Sequence, residues 1–433
     1  MLETIRNAWK IADLRKKLLF TFAILLLYRL GNVIPVPFVN TTTMSEMFNS
    51  DQIQNSILGL FNMMSGSAFS RATLFALSIQ PYINASIIVQ LLTIAIPSLE
   101  RLSKEGGEEG RKKIEKITRY ATVGLGLLMG WAYWVMLTNY NVEWNNALLV
   151  KTGFVPALTV ILSFTAGASL VMWLGEQITE FGIGNGISMI LFANIVSRLP
   201  QTVIGLAKNV IDDAAGYWYV ALISVVGMIA LIMFIVFITN AERRIPVSYA
   251  KRVVGRKVYG GQNTFLPIKV NMSGVLPIIF AQSVATLPAT IAMFARTTDT
   301  WRYEHLWSNT SAFYMVMYLL LIIGFSYFYA TIQYNPVEIS NNLRKNGGFI
   351  PGYRPGRPTS DFIARVINKI TLFGAIFLGI VAILPILVGT FSAKFSTLAV
   401  GGTSVIIVVA VALETVQAIE AQMMMRHYKG FLE

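Results

Sequence analysis

"NSILGLFNMMSGSAFSRATLFALSIQPY", residues 55–82, is the stretch on which the fold turns. It is apolar enough to enter a bilayer, yet Gly59, Gly66 and a scatter of Ser and Asn break it, and it holds no Lys or Arg before Arg71. A helix needs about 20 apolar residues to cross the hydrocarbon, and residues 57–70 are too few. They lie between one hydrophobic run that ends outside and a second that ends inside, so they can re-enter. Backbone at membrane depth survives only when it is helical or shielded by protein. A short, glycine-broken helix held inside a bundle is the expectation.

The rest of the chain supplies that bundle. Hydrophobic residues make up 55% of its 433 and charged ones 13%, where soluble domains carry roughly a quarter. Hydropathy gives ten candidate spans, near 18–36, 72–96, 119–138, 154–174, 183–200, 217–239, 273–295, 312–333, 367–389 and 396–415. The first run ends in "GNVIPVP" without a small-residue cleavage site, so it reads as a retained helix. The expected fold is an all-α membrane protein of ten transmembrane helices.

Basic residues set the orientation. Lys and Arg in short loops stay cytoplasmic, and 27 of the 35 fall in residues 1–17, 101–119, 240–272, 334–369 and the tail. Both termini therefore face the cytoplasm. The net charge of +13 suits anionic lipid heads or an acidic or RNA-bearing partner.

Several chemistries are absent from the spans. There is no cysteine, and His305 and His427 fall in an outer loop and the tail. Ionisable residues within the spans are nearly limited to Arg29, with Glu176, Glu180 and Glu414 at span ends. An ion-coupled pump keeps acidic groups near mid-membrane, and an intramembrane protease needs a Ser–His or Asp pair. No catalytic residue, metal site or cofactor follows, and no Walker-type loop is present.

Ten spans divide as five and five at an outer loop around 201–216, giving an amino-terminal half, 1–212, and a carboxyl-terminal half, 213–433. An odd number per half requires any duplication to be inverted, although no repeat is visible. The cytoplasmic loops near 240–272 and 334–365 say more. In "NAERRIPVSYAKRVVGRKVYGGQNTFLPIKVNMSGVLPIIFA", residues 240–281, "IPVSYA" and "FLPIKVN" alternate with the period of strands around a basic, glycine-punctuated tip, which predicts a hairpin. In "YNPVEISNNLRKNGGFIPGYRPGRPT", residues 334–359, proline and glycine set a turn with Arg354 and Arg357 at its crest.

These two loops resemble signatures of the SecY family, the channel subunits of bacterial protein translocases. The likeness runs along nearly the whole chain, through "RLGNVIPVP", "IQPYINASIIVQLL", "KEGGEEGRKKIEKITRY", "GEQITEFGIGNGIS", "GGFIPGYRPG" and "GGTSVIIVV". One departure is Phe38, where the family has glycine. The resemblance implies two inverted five-helix halves that open like a clamshell around a passing preprotein and release hydrophobic segments sideways into the cytoplasmic membrane. It makes residues 57–70 the plug, with Leu60, Phe61, Gly66 and Phe69 in it. A pore ring carries over to Ile79, Ile83, Ile187, Leu191, Ile279 and Ile407, all branched aliphatics. An apolar ring excludes ions by dewetting and offers a passing chain no fixed hydrogen bonds. A lateral gate carries over to Asn84, Gln90, Asn185 and Leu287, whose amides could bond across helices for on the order of 0.6 kcal/mol each. Arg252, Arg256, Lys257, Arg344, Arg354 and Arg357 fall on the loops that dock partners. The implied partners are the SecE and SecG subunits, a SecA ATPase, the ribosome, signal peptides and preproteins, and membrane lipids, with no small-molecule substrate. The competing reading is an inverted-repeat secondary transporter for a small solute, against which the missing mid-membrane acids weigh.

Overall fold

A computed structural model describes residues 2–48, 57–104, 106–143, 147–212, 214–249, 252–254, 257–259, 263–272, 274–295, 311–391 and 396–429. Helices cover each of the ten apolar stretches. Seven of them are long and apolar enough to cross a membrane unaided. These are α7 (Gly107–Glu143), α8 (Phe154–Phe181), α9 (Gly186–Asp212), α10 (Ala214–Thr239), α12 (Ala312–Gln333), α14 (Arg357–Phe391) and α15 (Ser396–Lys429). An eighth crossing is the pair α5 (Gln80–Ala95) and α6 (Pro97–Lys104), bent by 105°. The bend follows from Pro97, which pushes Ile96 out of the helical region to φ −107°, ψ 112°.

Among the described residues, seven helices, or eight with the bent pair, meet that length and apolarity. Two segments fall short for identifiable reasons. In α2 (Ala12–Gly31), Asp13, Arg15, Lys16, Lys17 and Arg29 share 20 residues. In α11 (Leu276–Ala295), a continuous helix with Pro288 inside it, the stretch counted as apolar is Leu276–Pro288. The outer loop expected around 201–216 is helical instead: α9 continues through Pro200 to Asp212 and α10 begins at Ala214.

The chain is mostly helical, and its strands lie in the basic loops, where the alternation predicts a hairpin. The strand β1 (Glu242–Tyr249) pairs antiparallel with β4 (Asn263–Lys269), in the register Glu242↔Lys269 to Ser248↔Asn263. Its inward residues Ile245 and Val247 are buried while Arg244 and Pro246 are exposed, the alternation that a half-buried strand requires. A shorter hairpin, β2 (Arg252–Val254) with β3 (Lys257–Tyr259), lies between them in sequence. The second loop also holds more order than a turn. Asn335 Oδ1 accepts from the amides of Val337 and Glu338 at 3.1 and 3.4 Å and so caps α13 (Pro336–Lys345). Beyond it β5 (Gly348–Phe349) joins the outer side of β1, giving a sheet in the order β4-β1-β5. One small sheet thus welds both basic loops together.

The apolar packing has a layout of its own. One core cluster draws only on residues 36–168 and another only on 235–413. A third, central cluster takes side chains from α2, α5, α8, α9, α11, α12 and α15. Short helices complete the structure: α1 (Leu2–Lys10), packed on α15, α3 (Thr41–Phe48) and α4 (Ile57–Met64).

Candidate functional site

The six residues expected as a ring meet in the central cluster. Ile79, Ile83, Leu191, Ile279 and Ile407 are each at most 2% exposed, and Ile187 packs against them half-buried. Helical spacing explains the convergence. Ile79 and Ile83 lie one turn apart at the start of α5, and Ile187 and Leu191 one turn apart at the start of α9, so each pair shares a face. α9 is brought in by glycine: a Cβ on Gly186 would stand 1.9 Å from the Gly175 carbonyl oxygen of α8. Asn185, expected at the seam, instead turns its Oδ1 onto the amides of Ile187 and Ser188 at 3.0 and 3.4 Å and caps α9. A side-chain oxygen directly ahead of a helix finds free N–H groups there before it can reach a neighbour.

The segment of the opening stretch forms α4 followed by consecutive turns up to Ser78. Phe61 and Phe69 stack with centroids 6.0 Å apart, and Phe69 meets Tyr133 of α7 edge-on at 4.6 Å. Only the backbone of Leu60 is described. The small residues here suggest a loose fit, yet the seat is hydrogen-bonded. Tyr133 donates to the Phe69 carbonyl at 2.6 Å, and Asn194 Nδ2 of α9 lies 2.9 Å from the Met64 carbonyl oxygen. Gly66 is required by its φ of +66° and by its neighbours, because a Cβ would come within 3.0 Å of Arg29 Nη1 and of Asn194 Oδ1.

At the expected gate, the Tyr329 hydroxyl of α12 donates to Gln90 Oε1 of α5 at 2.5 Å. Phe280 of α11 packs on Tyr329 at 5.2 Å and on Phe325 at 6.0 Å. The bond bridges α5 and α12. Asn84 is half-buried and has no such bond among the described residues, and Leu287 is 45% exposed beside Pro288.

Of the basic loop residues, Arg344, Arg354 and Arg357 are exposed. Arg357 is not at a turn crest but is the first residue of α14, while Arg354 lies in the turn, its carbonyl accepting from Thr359 Oγ1 at 2.8 Å. For Arg252 and Lys257 only the backbone strands are described, and Arg256 lies outside the described residues.

Sequence reasoning missed Tyr28, Ser78, Asn194, Tyr133 and Tyr329. Asn194 had a legible signal, since an amide inside "ILFANIV" has to find a partner in the membrane. The tyrosines had none: an aromatic in an apolar helix reads as packing until its hydroxyl is seen to point at something.

Membrane-length helices thus converge on one apolar cluster that holds all six expected ring residues. A family model described as SecY matches residues 73–416. Proteins from Streptomyces galbus and Streptomyces scabiei, each described as protein translocase subunit SecY, are 42% and 41% identical over 100% of this chain and of each relative. The chain therefore belongs to the SecY family. Among solved structures, one described as that of a protein conducting channel matches with TM-score 0.66 at 17% identity, over 94% of this chain and 91% of that one. A second, concerning the plug domain of a SecY protein, and a third, of Sec61 in a canine ribosome-channel complex, both match with TM-score 0.63 over the same shares, at 17% and 16% identity.

Proposed function

We infer that this chain is the channel subunit of a protein translocase and is not an enzyme. The observation that carries the inference is the central cluster, where six branched aliphatics from the starts of α5, α9 and α11 and from α15 meet. Such a constriction seals by dewetting and releases whatever passes. A solute carrier holds its substrate through polar groups, and none of these six side chains supplies one.

The finer reading goes further. The chain has ten spans in two inverted halves, 1–212 and 213–433, both ends in the cytoplasm of a bacterium, and residues 57–70 plug the outer side. Separate apolar clusters in 36–168 and 235–413, with a central cluster drawing on both, support two halves. Hydrophobic segments leave between α5 and α7 on one side and α11 and α12 on the other, with Gln90 and Tyr329 as the clasp and Asn84 and Leu287 on the seam. Arg344 of α13, Arg354 in the turn and Arg357 at the start of α14, with Arg252, Arg256 and Lys257 of the first basic loop, meet a SecA-type ATPase or a ribosome. SecE and SecG complete the complex. The purified complex, reconstituted with a SecA-type ATPase, is expected to move a signal-bearing preprotein into liposomes. Solute uptake without preprotein transport would restore the carrier reading.

A further inference from the structure

Beside the ring, two consecutive residues of α2 face two consecutive residues of α9. Asn194 Nδ2 lies 2.8 Å from the Tyr28 hydroxyl, 2.9 Å from the Met64 carbonyl oxygen and 3.2 Å from Ser78 Oγ, and the Tyr28 and Ser78 hydroxyls are 3.2 Å apart. Next to this pair, the Arg29 guanidinium donates to the Ala193 carbonyl at 2.5 Å. Tyr28 and Asn194 are completely buried and Ser78 is 1% exposed. Gly66 sits against Arg29 and Asn194 with no room for a side chain. The connector that leads from here to α5 is strained, for Ser67, Ala72 and Ser78 hold φ of 70°, 44° and 50°, the left-handed region that costs a residue bearing a Cβ.

We propose that Tyr28, Arg29, Ser78 and Asn194 are a latch that holds the carboxyl end of α4 shut, and that the connector 65–79 is a strained spring released when the latch opens. This rests on the reading of residues 57–70 as the plug. The chemistry suits a switch. Hydrogen bonds in a dry seat are strong while no water competes, and they are exchanged for water bonds once the centre wets. Asn194 Oδ1 is buried without a hydrogen-bond partner among the described residues, so entering water gains a bond there. Apolar packing alone could not be undone by wetting in this way.

The test is ion efflux from liposomes holding the complex that co-purifies with this chain. Deleting residues 60–66 sets the fully unplugged level. Tyr28→Phe and Asn194→Leu should each raise resting efflux roughly tenfold toward that level, the shift expected for one or two lost buried hydrogen bonds. Tyr28→Phe removes one oxygen and keeps the ring stacked on Phe75 at 5.5 Å, so it decides the matter if Asn194→Leu does not assemble. Placing Ser67→Gly in the Tyr28→Phe background should lower efflux about threefold, because glycine takes the left-handed conformation without strain. If the deletion leaks while both latch variants match the parent, the latch is overturned and the plug reading stands. If the deletion itself is silent, the plug reading fails and the latch with it. A rise in efflux on adding Ser67→Gly overturns the spring.

Discussion

The ring and the seat of the short helix adjoin and are equally buried, yet they are built from opposite chemistry. Ile79, Ile83, Leu191, Ile279 and Ile407 offer no hydrogen bond, while Tyr28, Ser78 and Asn194 are bonded to one another and to the Met64 carbonyl. The difference matches two mechanical demands. A constriction must let go of any sequence, so it cannot present donors and acceptors. A stopper must stay in one place until dismissed, so it needs directional contacts.

The largest effect should come from making the ring resemble the seat. Ile83→Asn or Ile279→Asn places an amide where no partner waits, a penalty of about 1–3 kcal/mol that water removes by entering. Resting ion conductance should rise by roughly tenfold or more, at 1.4 kcal/mol per factor of ten, and an unchanged planar-bilayer current would break the comparison. A middle-sized effect is expected on the cytoplasmic side. Arg354→Glu should weaken binding of the motor or ribosome several-fold at low salt and by less at high salt, since exposed charges act mainly through screened attraction. Identical titration curves for the two proteins would remove Arg354 from the docking surface.

Gln90→Leu probes a polar contact weaker than the seat. The Gln90–Tyr329 bond is a single clasp of about 0.6 kcal/mol, so its loss should ease opening about threefold and let preproteins with weakened signal sequences pass. Transport assays with graded signals read this directly, and an unaltered threshold would show the clasp to be ordinary helix glue. Smallest of all is Phe38→Gly. Phe38 holds φ 70° and belongs to no apolar core cluster, so glycine should raise thermal stability by no more than about 1 kcal/mol. A fall in melting temperature would mean that the ring is held by contacts stronger than the backbone strain.

Phe38 also shows what was legible in the sequence and what was not. Its mismatch with a glycine position was visible in "IPVPF", and the backbone keeps the glycine conformation despite the side chain. The hairpin of 242–269 was legible because alternation reports on the strand alone. Its joining to Gly348 and Phe349 was not, because pairing between distant segments leaves no periodic mark. Hydropathy placed the apolar helices, but could not foresee that Pro97 would bend one crossing or that five charges in α2 would shorten another's apolar length. The ring was selected by resemblance, since an isoleucine in an apolar helix looks like every other. The seat went unread because its bonds join residues 28, 64, 78 and 194, and no local window contains them.

The central claim is that a polypeptide passes through the apolar ring, and the absence of native cysteine allows it to be tested without background. Ile83→Cys, Ile279→Cys and Ile407→Cys, each paired with a single cysteine in a preprotein arrested midway by a folded tail, should form disulfides with the arrested chain. Leu222→Cys, on the exposed face of α10, should not. Crosslinking from Leu222→Cys that equals or exceeds that from the three ring positions would contradict the account.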